Sequence, residues 1–475
     1  MVKNTLVRNT LILILSSLLI KIMGLANRII LTRILGNEGI SLYMLILPSV
    51  MLFISLGSLS LNLTITKIVA VKKSGNVIKK GIKIAIYSSL IMSLVLLIII
   101  KPLSYSWLKQ PKTFYPILLT IPLIFLSAFN SVLRGYYNGI KKVNITSSSI
   151  LIEQIVRISI SVFLLLEFHS YGIEVAVSLA IIAMSIGEVG SIIFAAYKIK
   201  KYKPISNEKV NSKEILDIAI PLSFSRLLGN ITFFLEPIIF TLSLTILHYD
   251  NKSIMYKYSE VNAYAIPLIT MFSFVSSAIA TAIIPHVAAS TKKQIPYYIT
   301  SSLMYAFLPA IPITLILTTY AGEYMKLIYD TQIGVKEVRT YTFFFILFYL
   351  HAPLISIMQA ANHTKSTLII LAIADIIKLT LIFSLPFIIK DGLIIALLIS
   401  STFSCLSIYF YLKRKYHFKL DSHIIINVCL VALICTLFLI ILKVGNVNYL
   451  LASTLLILVF LLTIQYLGLF RFSNK

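Results

Sequence analysis

The chain has 475 residues, of which 58% are hydrophobic and 12% are charged, and its formal net charge is +25. A soluble globular protein carries about 25% charged residues, so this composition excludes a soluble fold and predicts an all-α polytopic membrane protein. A large positive charge is also typical of nucleic-acid-binding proteins. The basic residues lie where membrane topology explains them, however, and we expect no nucleic-acid partner.

Apolar stretches of about 20 residues can cross a bilayer as helices, and the chain contains fourteen of them. The first is preceded by basic residues, as in a secretory signal. No small-residue cleavage site follows it, so we predict a retained first helix. The predicted helices cover residues 6–35, 40–70, 81–103, 114–138, 145–167, 172–199, 214–245, 259–289, 296–320, 338–361, 366–389, 392–412, 423–443 and 447–470.

The basic residues are distributed unequally between the two sets of loops. If the N-terminus is cytoplasmic, the loops after even-numbered helices and the two tails hold 25 lysines and arginines, and the opposite loops hold ten. Cytoplasmic loops are enriched in basic residues. We therefore predict a multi-pass protein of the plasma membrane with the N- and C-termini in the cytoplasm.

The first six predicted helices repeat as the next six. Three matches support this repeat, in the same order in both halves: residues 48–70 with 267–289, residues 152–160 with 373–381, and residues 17–24 with 222–229. Since six is an even number, both halves have the same orientation in the membrane, and transporters commonly bind substrate between such paired bundles.

The repeat predicts the domain organisation. Two six-helix lobes are related by a pseudo-two-fold axis along the membrane normal, and two further helices lie outside the repeat. The predicted parts are an N-terminal lobe at 1–200, a cytoplasmic linker at 201–213, a C-terminal lobe at 214–415 and the additional helices within 416–475.

Five basic residues lie well inside predicted helices, where each costs about 2.5–3.5 kcal/mol at the centre of a bilayer. They must therefore be paired or line a water-filled cavity. They are Lys21, Arg28, Arg157, Arg226 and Lys378.

Two of these residues have an acid nearby on the same helix. Glu153 lies four residues before Arg157, and Asp375 lies three residues before Lys378 at the equivalent place in the repeat. Both spacings put the pair on one helix face. Two interpretations remain open: a structural ion pair, or a part in gating, substrate binding or coupling.

The other three, Lys21, Arg28 and Arg226, have no acid within four residues. Arg28 either extends to the outer interface or points into a cavity. The repeat aligns Lys21 with Arg226, which predicts an electropositive central cavity suited to an anion and above all to a phosphate. Glu236 is a candidate counter-ion for Arg226 or Arg28, or a coupling-ion site.

Motifs for chemistry are missing from the sequence. It contains no Gly-rich phosphate loop, no metal-ligand spacing and no Ser/His/Asp grouping. We therefore expect no metal, no cofactor and no enzymatic activity, and we expect energy to come from the membrane potential or from H⁺ or Na⁺.

Two stretches carry a family resemblance: "GLANRIILTRILGNEGISLYMLILP" at residues 24–48 and "RGYYNGIKKVNITSSSILIEQIVRI" at residues 134–158. The second combines R-G-Y-x-x-G, which begins at Arg134 and Gly135, with E-Q-x-x-R on the next helix. With these motifs the sequence resembles the polysaccharide-flippase branch of the multidrug/oligosaccharidyl-lipid/polysaccharide exporter superfamily. Within that branch it is most similar to the sporulation and lipid II flippase groups of Gram-positive bacteria.

The resemblance implies two lobes in a V shape around a central cavity, with the two extra helices forming a hydrophobic groove. It also implies outward transport, by alternating access, of an undecaprenyl-pyrophosphate-linked glycan such as a peptidoglycan precursor. The partners would be this lipid-linked substrate and membrane lipids, and we expect a monomer. Relatives need basic residues on the first helix; Lys21 occupies one such position, whereas the second aligns with Asn27 rather than Arg28.

Three other functions are alternatives to the transport of a lipid-linked glycan. A cation-coupled multidrug antiporter of the same superfamily needs carboxylates without partners, whereas the isolated charges here are basic. A membrane glycosyltransferase or polymer ligase needs acid and base residues on a large outer loop, and the outer loops are short. A non-transporting scaffold gives no reason to keep charges inside the membrane.

Overall fold

The computed structural model describes residues 2–72, 76–199, 210–418 and 422–469, with side chains from Leu18 onward except those of His169 and Ser225. Within these ranges all regular secondary structure is helical. A helix satisfies its backbone N–H and C=O groups within one segment, which a lipid environment requires. The predicted all-helical polytopic fold is confirmed.

Contacts between the described residues divide the chain into two compact units. The first comprises the described residues up to Ser259 together with Ile382–Phe387, and the second comprises Glu260–Leu381 and the described residues from Ile388 onward. This division rests on contacts, whereas the predicted lobes rest on an internal sequence repeat. The lobe boundaries at residues 200, 214 and 415 remain a prediction.

The first unit is built mainly from long helices. Short π- and 3₁₀-helical turns at Leu103–Trp107, Pro111–Thr113 and His169–Tyr171 connect some of them. The α-helices are α1 (Val2–Ser58), α2 (Leu61–Lys72), α3 (Asn76–Pro102), α4 (Phe114–Leu118), α5 (Thr120–Gly139), α6 (Val143–Phe168), α7 (Ile173–Ile199), α8 (Ser212–Ile246) and α9 (Asn251–Ser259).

The second unit contains more short helices, and the last three residues of α17 belong to the first unit. Turns at Glu260–Ala265, Phe344–Leu347 and Leu385–Phe387 are π- or 3₁₀-helical. The α-helices are α10 (Ile266–Ile269), α11 (Ser273–Ala289), α12 (Ile295–Phe307), α13 (Ala310–Thr319), α14 (Ala321–Tyr329), α15 (Val335–Tyr341), α16 (Phe348–Ala360), α17 (Thr364–Ser384), α18 (Gly392–Tyr416), α19 (Ser422–Val444) and α20 (Tyr449–Tyr466).

Among the described residues, 11 helices are long and apolar enough to cross a membrane, or up to 13 if each of two bent helix pairs is one span. The sequence predicts fourteen. The numbers differ because the 55-residue segment Leu18–Lys72 counts once and covers the first two predicted helices. Helix α1 breaks within it at Gly36, whose combination of φ 63° and ψ −174° lies in a backbone region that essentially only glycine adopts. Predicted and observed spans otherwise correspond in chain order.

Two glycines let α5 approach α2 closely. A Cβ atom on Gly135 would lie 2.6 Å from the backbone oxygen of Asn62, and one on Gly139 would lie 2.6 Å from the Cβ of Val69. Small residues four positions apart commonly allow such packing between membrane helices. The glycines of the R-G-Y-x-x-G motif therefore fix the position of α5, and with it that of Arg134.

Helices α6 and α7 pack in a similar way. A Cβ atom on Gly187 would lie 3.0 Å from the backbone oxygen of Glu153 and 3.1 Å from the Cβ of Arg157. One on Gly190 would lie 3.1 Å from a methyl group of Val156. This close packing brings the α7 residues beside Gly187 onto the turn of α6 that carries Glu153 and Arg157.

The second unit has two buried apolar clusters. One joins α12 and α13 to the last two helices through residues such as Ile311, Cys435 and Leu456. The other joins α11, α12, α16 and α18 through residues such as Ile299 and Ile408. The helices predicted to lie outside the repeat therefore pack directly on the rest of the second unit.

Candidate substrate and coupling site

Glu153 of α6 lies at the centre of a polar cluster in the first unit and is only 5% exposed. Its Oε2 forms an ion pair with Nη2 of Arg134 on α5, and its Oε1 forms an ion pair with Nη2 of Arg157 one turn further along α6. Glu153 and Arg157 thus do form an ion pair, and Arg134 is its third member. One carboxylate neutralises only one of the two guanidinium groups, so these three residues carry a net positive charge.

Glu188 of α7 is a second buried carboxylate, 7% exposed, in the same cluster. Asn130 Nδ2 donates hydrogen bonds to Glu188 Oε2 at 2.5 Å and to Ser191 Oγ at 2.8 Å. Arg134 Nη2 donates to the same Ser191 oxygen at 3.0 Å. Glu188 has no ion pair with any residue that the structure describes. The cluster is neutral when both carboxylates are ionised and gains one positive charge when Glu188 is protonated.

Arg28 points into the first unit. Its Nη2 lies 3.4 Å from Sδ of Met44, within hydrogen-bonding distance. Glu236 of α8 is 2% exposed and accepts a hydrogen bond from Tyr258 Oη at 3.2 Å. Tyr258 also lies within electrostatic reach of Arg28. The sequence offered Arg226 and Arg28 as candidate partners of Glu236. The contact of Tyr258 with Glu236 places this carboxylate in the neighbourhood of Arg28.

Tyr43 connects the surroundings of Arg28 to the Glu153 cluster. It is buried, and its hydroxyl group lies 3.7 Å from Sδ of Met184 on α7. Both Arg28 and Arg157 act electrostatically on this hydroxyl. The two polar regions are therefore neighbours within one unit.

Lys21 and Arg226 have exposed side chains, and neither forms an ion pair with a described residue. Each is followed three residues later by a glycine, Gly24 and Gly229 respectively. No atom lies within 4 Å of the position that a Cβ would take on either glycine. No described protein atom therefore covers either of the two aligned K/R-x-x-G turns at its glycine.

The remaining predicted pair lies on α17. Asp375 and Lys378 are both partly buried, and their pairing with each other remains a prediction. In the part of the chain that the structure describes, no group of three or more His, Cys, Asp or Glu side chains is arranged to hold a metal ion.

Glu188, Asn130 and Ser191 were not predicted as site residues. The site residues predicted from the sequence were mainly basic residues inside helices and acids close to them on the same helix. Glu188 lies in the middle of the predicted helix 172–199. The rule that intramembrane charges mark functional sites would have selected it if acidic residues had been included.

Two proteins of Bacillus subtilis (strain 168) resemble the sequence. The chain is 29% identical to stage V sporulation protein B over 406 residues. This alignment covers 81% of this chain and 78% of that protein. It is 21% identical to sporulation protein YkvU over 299 residues, and this alignment covers 60% of this chain and 66% of that protein.

Two solved structures share the fold. The lipid II flippase MurJ in an inward closed conformation matches with a TM-score of 0.71 and 17% identity, over 96% of this chain and 99% of that chain. An inward-facing multidrug resistance MATE family transporter of the MOP superfamily matches with a TM-score of 0.67 and 15% identity, over 84% of this chain and 94% of that chain. At these identities the two likenesses show the fold that this chain shares with them, and the expected transport function is taken up below as a proposal.

The family assignment rests on the sequence itself. A family model described as "Polysaccharide biosynthesis protein" matches residues 6–249, which is more than half of the chain and includes the R-G-Y-x-x-G and E-Q-x-x-R motifs. The fold of the whole chain, shared with solved members of the MOP superfamily, agrees with that match. This chain is a multi-pass membrane protein that belongs to the polysaccharide biosynthesis protein family.

Proposed function

We propose that the protein is a flippase that moves an anionic lipid-linked glycan outward across the cytoplasmic membrane by alternating access. The observation that carries the proposal is the charge bias of the first unit. Lys21 and Arg226 are exposed and have no ion pair among the described residues, whereas Glu153 is held by two arginines and Glu236 by Tyr258. Accessible cations beside engaged carboxylates favour an anionic cargo.

The headgroup that suits these residues best is a pyrophosphate. A guanidinium group can bind phosphate oxygens in a bidentate manner, and a lysine ammonium binds them as a point charge. Lys21, Arg28 and Arg226 together supply both kinds of contact. An undecaprenyl-pyrophosphate-linked unit, either a peptidoglycan precursor such as lipid II or another polysaccharide unit, fits this chemistry. The likeness to a lipid II flippase and to sporulation proteins supports the same class.

The buried cluster supplies a means of coupling. In our proposal Glu153, Arg157 and Arg134 hold α5 and α6 together while Glu188 gains or loses a proton. Glu236 near Arg28 and the pair Asp375 and Lys378 on α17 are further candidates for gating. The protein functions as a monomer, with both termini in the cytoplasm as the distribution of basic residues predicts.

A cation-coupled drug antiporter is the second candidate, because Glu188 is a buried carboxylate without an ion pair among the described residues and because a MATE transporter shares the fold. Such a protein would protect cells against cationic dyes. It would not need Lys21 or Arg226. The two candidates therefore differ in which residues are essential.

The direct test is a lipid II flipping assay with the purified protein in proteoliposomes. We expect Lys21→Ala and Arg226→Ala each to slow flipping by about tenfold or more, because a hydrogen bond to a charged group contributes about 1.5–3 kcal/mol. Lys79→Ala is the matched control, since Lys79 is also exposed but lies near the start of α3, and it should be unaffected.

Protein amount and folding are checked by size-exclusion chromatography of each variant. If both alanine variants are folded and flip lipid II at the wild-type rate, the anion-binding role of these residues is wrong. If the wild type instead exports cationic dyes and moves no lipid-linked glycan, the antiporter is the correct function.

A further inference from the structure

A second basic site lies in the second unit, well separated in sequence from the residues discussed so far. It is a cavity of about 550 Å³, within the range of roughly 300–1,000 Å³ that is typical of small-ligand sites. Helices α11, α16 and α18 end at this cavity, and α12 and α17 begin there. Its basic lining residues are Lys292, Lys293, His363, Lys415 and His417.

The charge of this cavity is one-sided. None of the described residues that line it is acidic, and three of them are lysines, which carry a positive charge at neutral pH. The partial charges of helix termini are negative at C-terminal ends and positive at N-terminal ends. Three helix C-termini and two helix N-termini lie at the cavity, so their partial charges largely offset one another. The side chains therefore determine the electrostatic potential in the cavity.

One wall of the cavity is held in place by hydrogen bonds. The two ring nitrogens of His363 lie 2.9 Å from Tyr416 Oη and 3.4 Å from Tyr411 Oη. Ser366 Oγ donates to the same Tyr411 hydroxyl at 3.1 Å. These contacts join the start of α17 to the end of α18, so the site exists before any ligand binds.

The lining also includes apolar residues, among them Val287, Ile295 and Pro296. The three connections around the cavity follow the eighth, tenth and twelfth predicted helices, which the charge bias places in the cytoplasm. A cavity lined by both cationic and apolar side chains, at the cytoplasmic ends of membrane helices, matches a molecule with a phosphate group at the membrane surface. Basic pockets between membrane helices on this side bind anionic lipid headgroups.

We propose that this cavity binds the phosphodiester headgroup of an anionic phospholipid of the cytoplasmic leaflet. In this site the lysines contact the phosphate and the apolar lining residues contact the glycerol region. The site is separate from the transported substrate, and the proposal does not depend on the flippase function.

The test is a titration of the purified full-length protein with phosphatidylglycerol, followed by native mass spectrometry. In the variant with Lys292→Ala, Lys293→Ala and Lys415→Ala, we expect the tightest phosphatidylglycerol site to weaken by about 10- to 100-fold. The matched control replaces Lys79, Lys80 and Lys141 with alanine, which removes the same charge elsewhere, and should keep the site. A third variant with arginine at positions 292, 293 and 415 should also keep it, which shows that charge rather than folding is responsible.

Two further arms identify the ligand class. Phosphatidylcholine should not compete with phosphatidylglycerol, and millimolar inorganic phosphate should not displace it. Displacement by phosphate would show a site for a soluble anion and overturn the lipid assignment. Equal binding by the wild type and the alanine variant, or an equal loss in the control, would overturn the proposal as a whole.

Discussion

The residue at the centre of the buried cluster is Glu153, which bridges two guanidinium groups. Breaking a buried ion pair by removing one partner costs about 3–5 kcal/mol, because the other charge is left without compensation. Loss of Glu153 leaves both Arg134 and Arg157 in that situation. Loss of Arg157 leaves the pair between Arg134 and Glu153 intact. The two changes should therefore differ strongly in their effects.

We expect Glu153→Gln to lower the free energy of unfolding by about 3–5 kcal/mol and Arg157→Gln to lower it by much less. Thermal unfolding of the detergent-solubilised protein measures this difference. Glu167→Gln is the control, because Glu167 is exposed near the end of the same helix. Replacing Glu153 and Arg157 together should not restore stability, since Arg134 then lacks its partner. A double variant as stable as the wild type would contradict the three-residue arrangement.

His363 makes the proposed phospholipid site sensitive to pH. Partial burial and the positive charge of Lys415 lower the pKa of His363 below its ordinary value of about 6.5, so the ring is neutral at pH 7 and above. The other charged or titratable groups facing it are Tyr411, Tyr416, His417 and the two lysines that follow α11.

Phosphatidylglycerol binding should therefore tighten by a few-fold as the pH falls from about 7.5 to about 5.5, because the ring then gains a charge. The unliganded protein should become less stable over the same interval, since a group with a lowered folded-state pKa takes up protons more readily when unfolded. His363→Gln should reduce both effects. Binding that weakens on acidification would contradict this assignment.

At the scale of helices, the position of α5 depends on two glycines. The nearest obstacle to a side chain at Gly135 is a backbone oxygen of Asn62, which cannot rotate away as a side chain could. We expect Gly135→Ala to destabilise the protein by about 1–3 kcal/mol and to displace Arg134 from Glu153. The measurement is again thermal unfolding.

Gly229→Ala is the matched control, because nothing lies within 4 Å of the added methyl group. Within a helix this change should be neutral or stabilising by up to about 1 kcal/mol. Equal destabilisation by both substitutions would show that close packing of α5 against α2 is not the cause.

The sequence predicted the membrane-spanning helices well and the side-chain contacts between different helices poorly. Apolar runs and their order follow from chain length and side-chain type, so the predicted spans match the observed ones. The four-residue spacing identified Glu153 and Arg157 because both lie on one helix. It could not reveal Arg134, whose contact with Glu153 joins two helices, or the link from Asn130 to Glu188, whose members are 58 residues apart. Such contacts depend on how α5 packs against α6 and α7, which no local spacing rule describes.

At the scale of the whole molecule, the membrane potential can drive the proposed transport. An inside-negative potential of about 100 mV favours the outward movement of two negative charges by up to about 4.6 kcal/mol. We expect lipid II flipping in proteoliposomes to accelerate when such a potential is imposed. A proton gradient should add to this effect if Glu188 is the coupling group.

Glu188→Gln keeps the shape of the side chain and cannot ionise. We expect this variant to respond to the potential and to lose its response to the proton gradient, both measured in the same flipping assay. Glu174→Gln, near the start of the same helix, is the control. A proton-gradient response that survives in Glu188→Gln would exclude this residue as the coupling group.

The bridge at Glu153 also constrains how the chain is made. Arg134 leaves the ribosome 19 residues before its partner carboxylate, and a lone arginine in hydrocarbon is costly. Only residues 140–142 separate α5 from α6. We therefore expect the two helices to enter the bilayer together as a hairpin, with the first retained by the insertion machinery until Glu153 of the second has been synthesised.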